Sequence, residues 1–291
     1  MKSPIKEIIH PRIVPILRDK TVRRILPVHG GHGVGPFLFL DHFGPEEQKP
    51  DDNNDIGPHP HIGLETVTYL FEGTMFHRDS LGSEQEIRPG DVNWMTAGKG
   101  IVHSERTPEN LKTKKFLLHG LQAWVGLPLA DELVQPTFHH HPKESLPKFT
   151  LGGIDLTLIA GSACGHTSPV HTFSKLFYLE TKMPKGKRLD IDTENQETAF
   201  YLIEGKLIID EKKFESPILF IFQNGSILDI FGEEDSFGVL LGGEPLDGGR
   251  RHMWWNFVAS SKERIEEAKK NWREGKFPLI PGETGYIPLP E

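Results

Sequence analysis

One cysteine, Cys164, is all that the 291 residues contain. An internal disulfide is excluded, and so is a structural zinc site built on thiolates. Long apolar runs are missing as well, since no stretch approaches the roughly 20 residues that span a bilayer. The opening MKSPIKEIIHPRIVPILRDK mixes charges among its apolar residues. It has neither the uninterrupted apolar segment nor the small-residue cleavage site of a secretory signal. A cytoplasmic protein with no membrane association is therefore expected. Positive charge is also scarce: 33 Lys and Arg stand against 41 Asp and Glu, a formal balance of -8. The basic clusters Lys112-Thr113-Lys114-Lys115 and Lys182 to Arg188 are short and read as solvated surface, too little to neutralise a phosphate backbone. No direct nucleic-acid binding is expected, and any part in gene regulation would run through a protein partner.

Short apolar segments are abundant. PFLFLDHF, LETVTYLFEG, DVNWMT, KFLLHGLQAWVGL, DLTLIAG, KLFYLET, TAFYLIEGKLIID, ILFIF and SFGVLLGG are separated by turns drawn from 30 Gly and 23 Pro. Many short strands punctuated in this way predict an all-β sandwich or barrel. One segment, SSKERIEEAKKNWREGK, has helical periodicity. Ser260 and Glu263 are placed as a capping box, Ile265, Ala268 and Trp272 share one face, and Gly275 is a stop.

The chain also repeats itself. Glu65 to Gly73 reads ETVTYLFEG and Glu197 to Gly205 reads ETAFYLIEG, identical at six of nine positions and 132 residues apart. Two tandem copies of one β-domain are the economical reading, divided as 1–140 and 141–291 with the helix in the second. The boundary falls in QPTFHHHPKESLP, Gln135 to Pro147, which shows no strand pattern. The same offset carries His59 onto Ile191 and His61 onto Thr193, and no histidine occurs between His171 and His252. One copy has a function that the other has lost.

Residues i and i+2 of a strand point to one face, so His59 and His61 can aim both imidazoles at one point. His103 and Glu105 form a second such pair after the turn at Gly98 and Gly100. Three imidazoles and a carboxylate make a nitrogen and oxygen site suited to iron(II), manganese, nickel, copper or zinc. On an octahedral ion, four protein ligands leave two adjacent positions for dioxygen or a chelating substrate.

The residues His59-Pro60-His61, Glu65 to Leu70, His77-Arg78-Asp79-Ser80-Leu81-Gly82, Arg88-Pro89-Gly90-Asp91 and Trp94 to Glu105 resemble the pirin family, whose members pair two cupin domains. Phe37 to Gly44, Leu118 to Val125, Gly242 to Leu246 and Trp254 to Val258 extend the resemblance over nearly the whole chain. It implies two tandem jelly-roll-like cupin barrels with a C-terminal helix. It also implies one iron(II) on His59, His61, His103 and Glu105 of the N-terminal cupin, with a metal-free C-terminal cupin. Quercetin 2,3-dioxygenase activity on a flavonol-like small molecule and O2 follows from the family, as does binding to transcription factors, known for a nuclear co-regulator among its members. Glu105 is then the candidate catalytic base. Ile62 departs from the arginine common in relatives and is expected to point away from the ligand face.

Other polar residues have plainer expectations. Glu65 is read as structural because Glu197 repeats it in the copy without histidines. His77, His42 and His119 read as hydrogen-bonded structural histidines, and His139-His140-His141 as part of a linker.

Overall fold

The computed structural model describes residues 3–17, 20–28, 30–50, 52, 55–192 and 196–290; Thr193, the counterpart of His61, lies outside them. The alternating and continuous apolar segments form strands, as their β-branched and aromatic content favours, and the chain folds into two compact units.

One unit comprises Val14–Val22, Phe39–Lys143 and Leu246–Glu291. Its small sheet runs in the order Ile56–His61, Ile101–Arg106, Met75–Asp79, Glu84–Ile87. A larger sheet places Thr137–His141, Val92–Thr96, Leu64–Glu72, Phe116–Gly126 and Phe37–Gln48 side by side. Side chains bridge the sheets. Phe138 stacks on His77 at 4.1 Å between ring centroids, and Trp124 meets His61 edge-on at 5.4 Å.

The other unit comprises Met1–Ile13, Arg23–Leu38 and Glu144–Pro245. It has the same plan: a small sheet in the order Arg188–Asp192, Ile227–Gly232, Lys206–Ile209, Lys212–Glu215, and a larger sheet centred on Glu197–Glu204. In both units the repeated ETxxYLxEG strand is flanked by the corresponding neighbours, so the repeat read from the sequence is a repeat of architecture. The second unit has an apolar core cluster that includes Leu179, Leu189, Phe200, Leu207, Phe220 and Leu240.

The units differ from the division at residue 140 in their termini. Strand Ile5–Ile9 pairs with Ile218–Phe222 in the histidine-poor unit. The helix, Lys262–Arg273, belongs to the histidine-bearing unit, where Ile265, Ala268 and Trp272 are buried against Val102 and Phe257. Burying Ile265 and Trp272 stabilises that docking by roughly 2–3 kcal/mol each. Terminal segments follow long-range apolar matches that a linear division of the sequence cannot register. Two local readings also change. The N-cap is Ser261, whose Oγ accepts from Arg264 N–H, while the backbone N–H and hydroxyl of Ser260 both donate to Glu132. The triple-histidine tract is strand Thr137–His141, in register with Val92–Thr96. Its alternation is carried by Phe138 turning inward, a weak signal in a polar sequence.

Candidate metal centre

The strand spacing does what period two requires. His59 and His61 lie on Ile56–His61, and His103 lies on Ile101–Arg106, which pairs antiparallel with it so that His103 is directly opposite His59. One imidazole nitrogen from each of the three residues lies within 4.8 Å of the others, and all three side chains are buried.

Their tautomers can be assigned from the partners outside the cluster. His59 Nδ1–H donates to the Gly57 carbonyl at 2.9 Å, and His61 Nδ1–H to the Asn256 carbonyl at 3.1 Å. His103 Nδ1 faces His77 Nδ1 at 3.4 Å, while His77 Nε2–H donates to Asp79 Oδ2 at 2.9 Å. A carboxylate accepts only, so His77 carries a proton on Nε2, and in the neutral ring the bare Nδ1 is left to accept from His103. All three ligand candidates are thus left with an Nε2 lone pair turned inward. His61 Nε2 and His103 Nε2 stand 3.1 Å apart. Lone pairs converging at that separation repel unless a cation lies among them, and the donor set therefore fits a transition ion.

Burial sets the charge. It lowers His59 from 6.5 to about 4, partly offset by the Gly57 hydrogen bond. It holds His61 and His103 well below the ordinary range, with neighbouring imidazoles adding to the effect. All three are neutral at pH 7, as metal binding would require.

Glu105 lies outside the group of converging atoms. Glu105 is opposite Ile56 while His103 is opposite His59, the extra residue of this irregularity lying in the Ile56–His61 strand; against Met75–Asp79 the pairing of His103 and Glu105 is regular. The residue is half-buried, and burial of its carboxyl pushes it up to about 7.

Glu65 points elsewhere. Its Oε1 accepts from Trp94 Nε1–H at 2.8 Å and from Thr96 Oγ at 2.9 Å. Its Oε2 is buried without a partner, and burial raises the carboxyl to about 7. The repeat partner Glu197 accepts the Gly35 N–H at 2.7 Å. Both glutamates anchor neighbouring segments of their own unit, as their repetition suggests. His42 and His119 share a hydrogen bond, Nε2 to Nε2 at 2.8 Å. Ile62 packs with Phe257 and Phe277 on the side away from the cluster, as alternation demands.

The aromatic wall and the carboxylate behind His77 are not evident from ligand spacing. Trp124 stacks on Phe39 at 4.1 Å, forming a flat apolar wall beside His61. Asp79 is fully buried, its Oδ1 accepting from Leu81 N–H and Ser83 N–H. Burial alone would raise its carboxyl, but hydrogen bonds led by His77 hold it below the ordinary range. The run His77-Arg78-Asp79 was the available signal for this pair.

Two barrels of one topology, only one of them with a convergent histidine triad among the described residues, define a bicupin with a single metal-type site. Residues 19–125 match the Pirin family and residues 178–278 the Pirin C-terminal cupin domain. The chain is 45% identical to a pirin-like protein of Caulobacter vibrioides, over 93% of this chain and 94% of that one. It is 33% identical to pirin of Homo sapiens, over 84% and 83%. The crystal structure of quercetin 2,3-dioxygenase from Acinetobacter baumannii is similar with a TM-score of 0.90 at 32% identity, covering 98% of this chain and 95% of that one. The protein belongs to the pirin family.

Proposed function

We propose that this pirin is a metal-dependent dioxygenase of the quercetin 2,3-dioxygenase type, acting on a flavonol or related hydroxy-ketone with O2. His59, His61 and His103 are its ligands, with Glu105 joining from outside the converging group as the fourth, and iron(II) is its ion; manganese, nickel, copper and zinc suit the same donors. The observation that carries this reading is the convergence of three buried neutral Nε2 atoms, 3.1 Å apart at His61 and His103. The bound ion would supply Lewis acidity toward an adjacent hydroxyl and carbonyl, and redox capacity toward dioxygen.

The chain's own residues supply the rest. Trp124, stacked on Phe39 and edge-on to His61, gives the site an apolar boundary on that side. Glu105 is the base that accepts the substrate hydroxyl proton. Anaerobic metal loading followed by quercetin and oxygen, with carbon monoxide as the readout, tests the assignment. Protein with full iron, manganese, nickel or copper occupancy and no turnover removes it.

A second reading is a metal- or redox-dependent interaction protein. The histidine-poor barrel favours it, being an intact fold with an apolar core and no metal group among its described residues. Partner capture that is the same for oxidised and reduced protein counts against it.

A further inference from the structure

The three imidazoles do not have equivalent partners behind them. His59 and His61 each donate to a backbone carbonyl, those of Gly57 and Asn256. His103 alone faces another imidazole, and that imidazole ends on a carboxylate. Asp79 Oδ2 accepts from His77 Nε2–H at 2.9 Å, and His77 Nδ1 faces His103 Nδ1 at 3.4 Å. Each link is held in place. Asp79 is fully buried and its other oxygen is fixed by two backbone N–H groups. The His77 ring lies flat on Phe138, with centroids 4.1 Å apart and planes 10° from parallel.

Resting on the metal reading above, we infer that His77 and Asp79 are positioning residues that fix the tautomer of His103 and strengthen it as a donor, making it the most electron-rich of the three imidazole ligands. A carbonyl polarises a ligand N–H as a neutral dipole. A chain ending on a buried carboxylate pulls on that proton with a full charge, and it acts through a medium that screens little. Partial loss of the Nδ1 proton leaves more negative charge on Nε2, which favours metal binding and favours the more highly charged of two oxidation states. Asp79 matters for its direction as well as its charge. An amide in its place can turn its NH2 toward His77 Nε2, which then carries no proton. His77 Nδ1–H would face His103 Nδ1–H, donor against donor.

The test compares wild type with His77→Phe, His77→Gln and Asp79→Asn. Phenylalanine keeps the ring stacked on Phe138 and removes both hydrogen bonds. Glutamine carries both an acceptor for His103 and a donor for Asp79. Nickel(II) affinity is measured by competition with a chromophoric chelator, the midpoint potential of iron-loaded protein by spectroelectrochemistry, and folding of the metal-free protein by thermal unfolding. Loss of such a partner weakens binding by about 10–100-fold, and that is expected for His77→Phe and Asp79→Asn, with a raised midpoint potential. His77→Gln is expected to recover much of the affinity. Should Asp79→Asn fail to fold because its turn is lost, the two His77 variants decide. Equal weakening by Phe and Gln, or wild-type affinity and potential in both, overturns the inference while leaving the metal site standing. Wild-type protein that takes up no metal overturns both.

Discussion

His61 Nε2 lies 3.1 Å from His103 Nε2, although 42 positions of chain separate the two residues and each has its Nδ1–H directed outward. The pair is the point at which burial, tautomer and strand pairing meet, and it has a pH signature. Burial lowers His59 from 6.5 to about 4 and holds His61 and His103 well below 6.5. The folded cluster therefore refuses protons that the unfolded chain accepts in this window. Stability from this source is complete above 6.5 and is lost as pH falls toward 4. Metal uptake by the three imidazoles should persist at about pH 5.5, where exposed histidines are mostly protonated, and fail only on approach to about pH 4. Uptake followed against pH checks this; a midpoint at 6.5 or above contradicts it.

Glu65 has the opposite sign. Raised from 4.5 to about 7, it keeps a proton that the unfolded chain has lost. Its contribution is present below 4.5 and disappears as pH rises through about 7. Glutamine cannot ionise, so Glu65→Gln should gain about 2 kcal/mol relative to wild type between about pH 5 and pH 8. Denaturant unfolding at the two pH values measures the difference, and a gap that does not change with pH refutes the assignment.

The segment after the helix holds the ligand strands. Ile287 N–H donates to the Pro58 carbonyl beside His59, at 2.8 Å, and Trp272 Nε1–H donates to the Ile287 carbonyl at 2.9 Å. Glu283, its side chain only 3% exposed, accepts from Ser104 Oγ and pairs with Arg106 on the His103 strand. Glu283→Gln leaves Arg106 with Asp55 alone. Breaking a buried pair costs about 3–5 kcal/mol, and the 28% exposure of Arg106 brings the expected loss nearer about 2 kcal/mol. Urea unfolding should show that loss together with weaker metal retention. Undiminished stability would mean that Glu283 has no clamping role.

Gly98 precedes the His103 strand at φ +50°, and a Cβ there would press into the Val134 carbonyl oxygen. Gly82, at φ +87°, has open space around the same position. Gly98→Ala should therefore destabilise by about 3 kcal/mol through overpacking, whereas Gly82→Ala should lose only about 1 kcal/mol for its backbone conformation. Chemical unfolding of both variants tests the contrast, and equal losses would remove it.

His59 and His61 on one strand face, the third imidazole at His103, the ETxxYLxEG repeat and the absence of histidine from the second interior all follow from local order along the chain. Spacing fixes the face on which a side chain emerges, because the period of a strand is two. What stands behind each imidazole is set by tertiary structure. Asn256 lies 195 positions from His61, the helix joins the histidine-bearing unit, and Phe138 turns a polar tract into an inner strand. Glu105 lies outside the converging group, although it shares the i, i+2 spacing of its histidine neighbour. Linear spacing records direction within one strand. Distance between strands, and with it the choice of tautomer and proton affinity, is decided only when the sheets close.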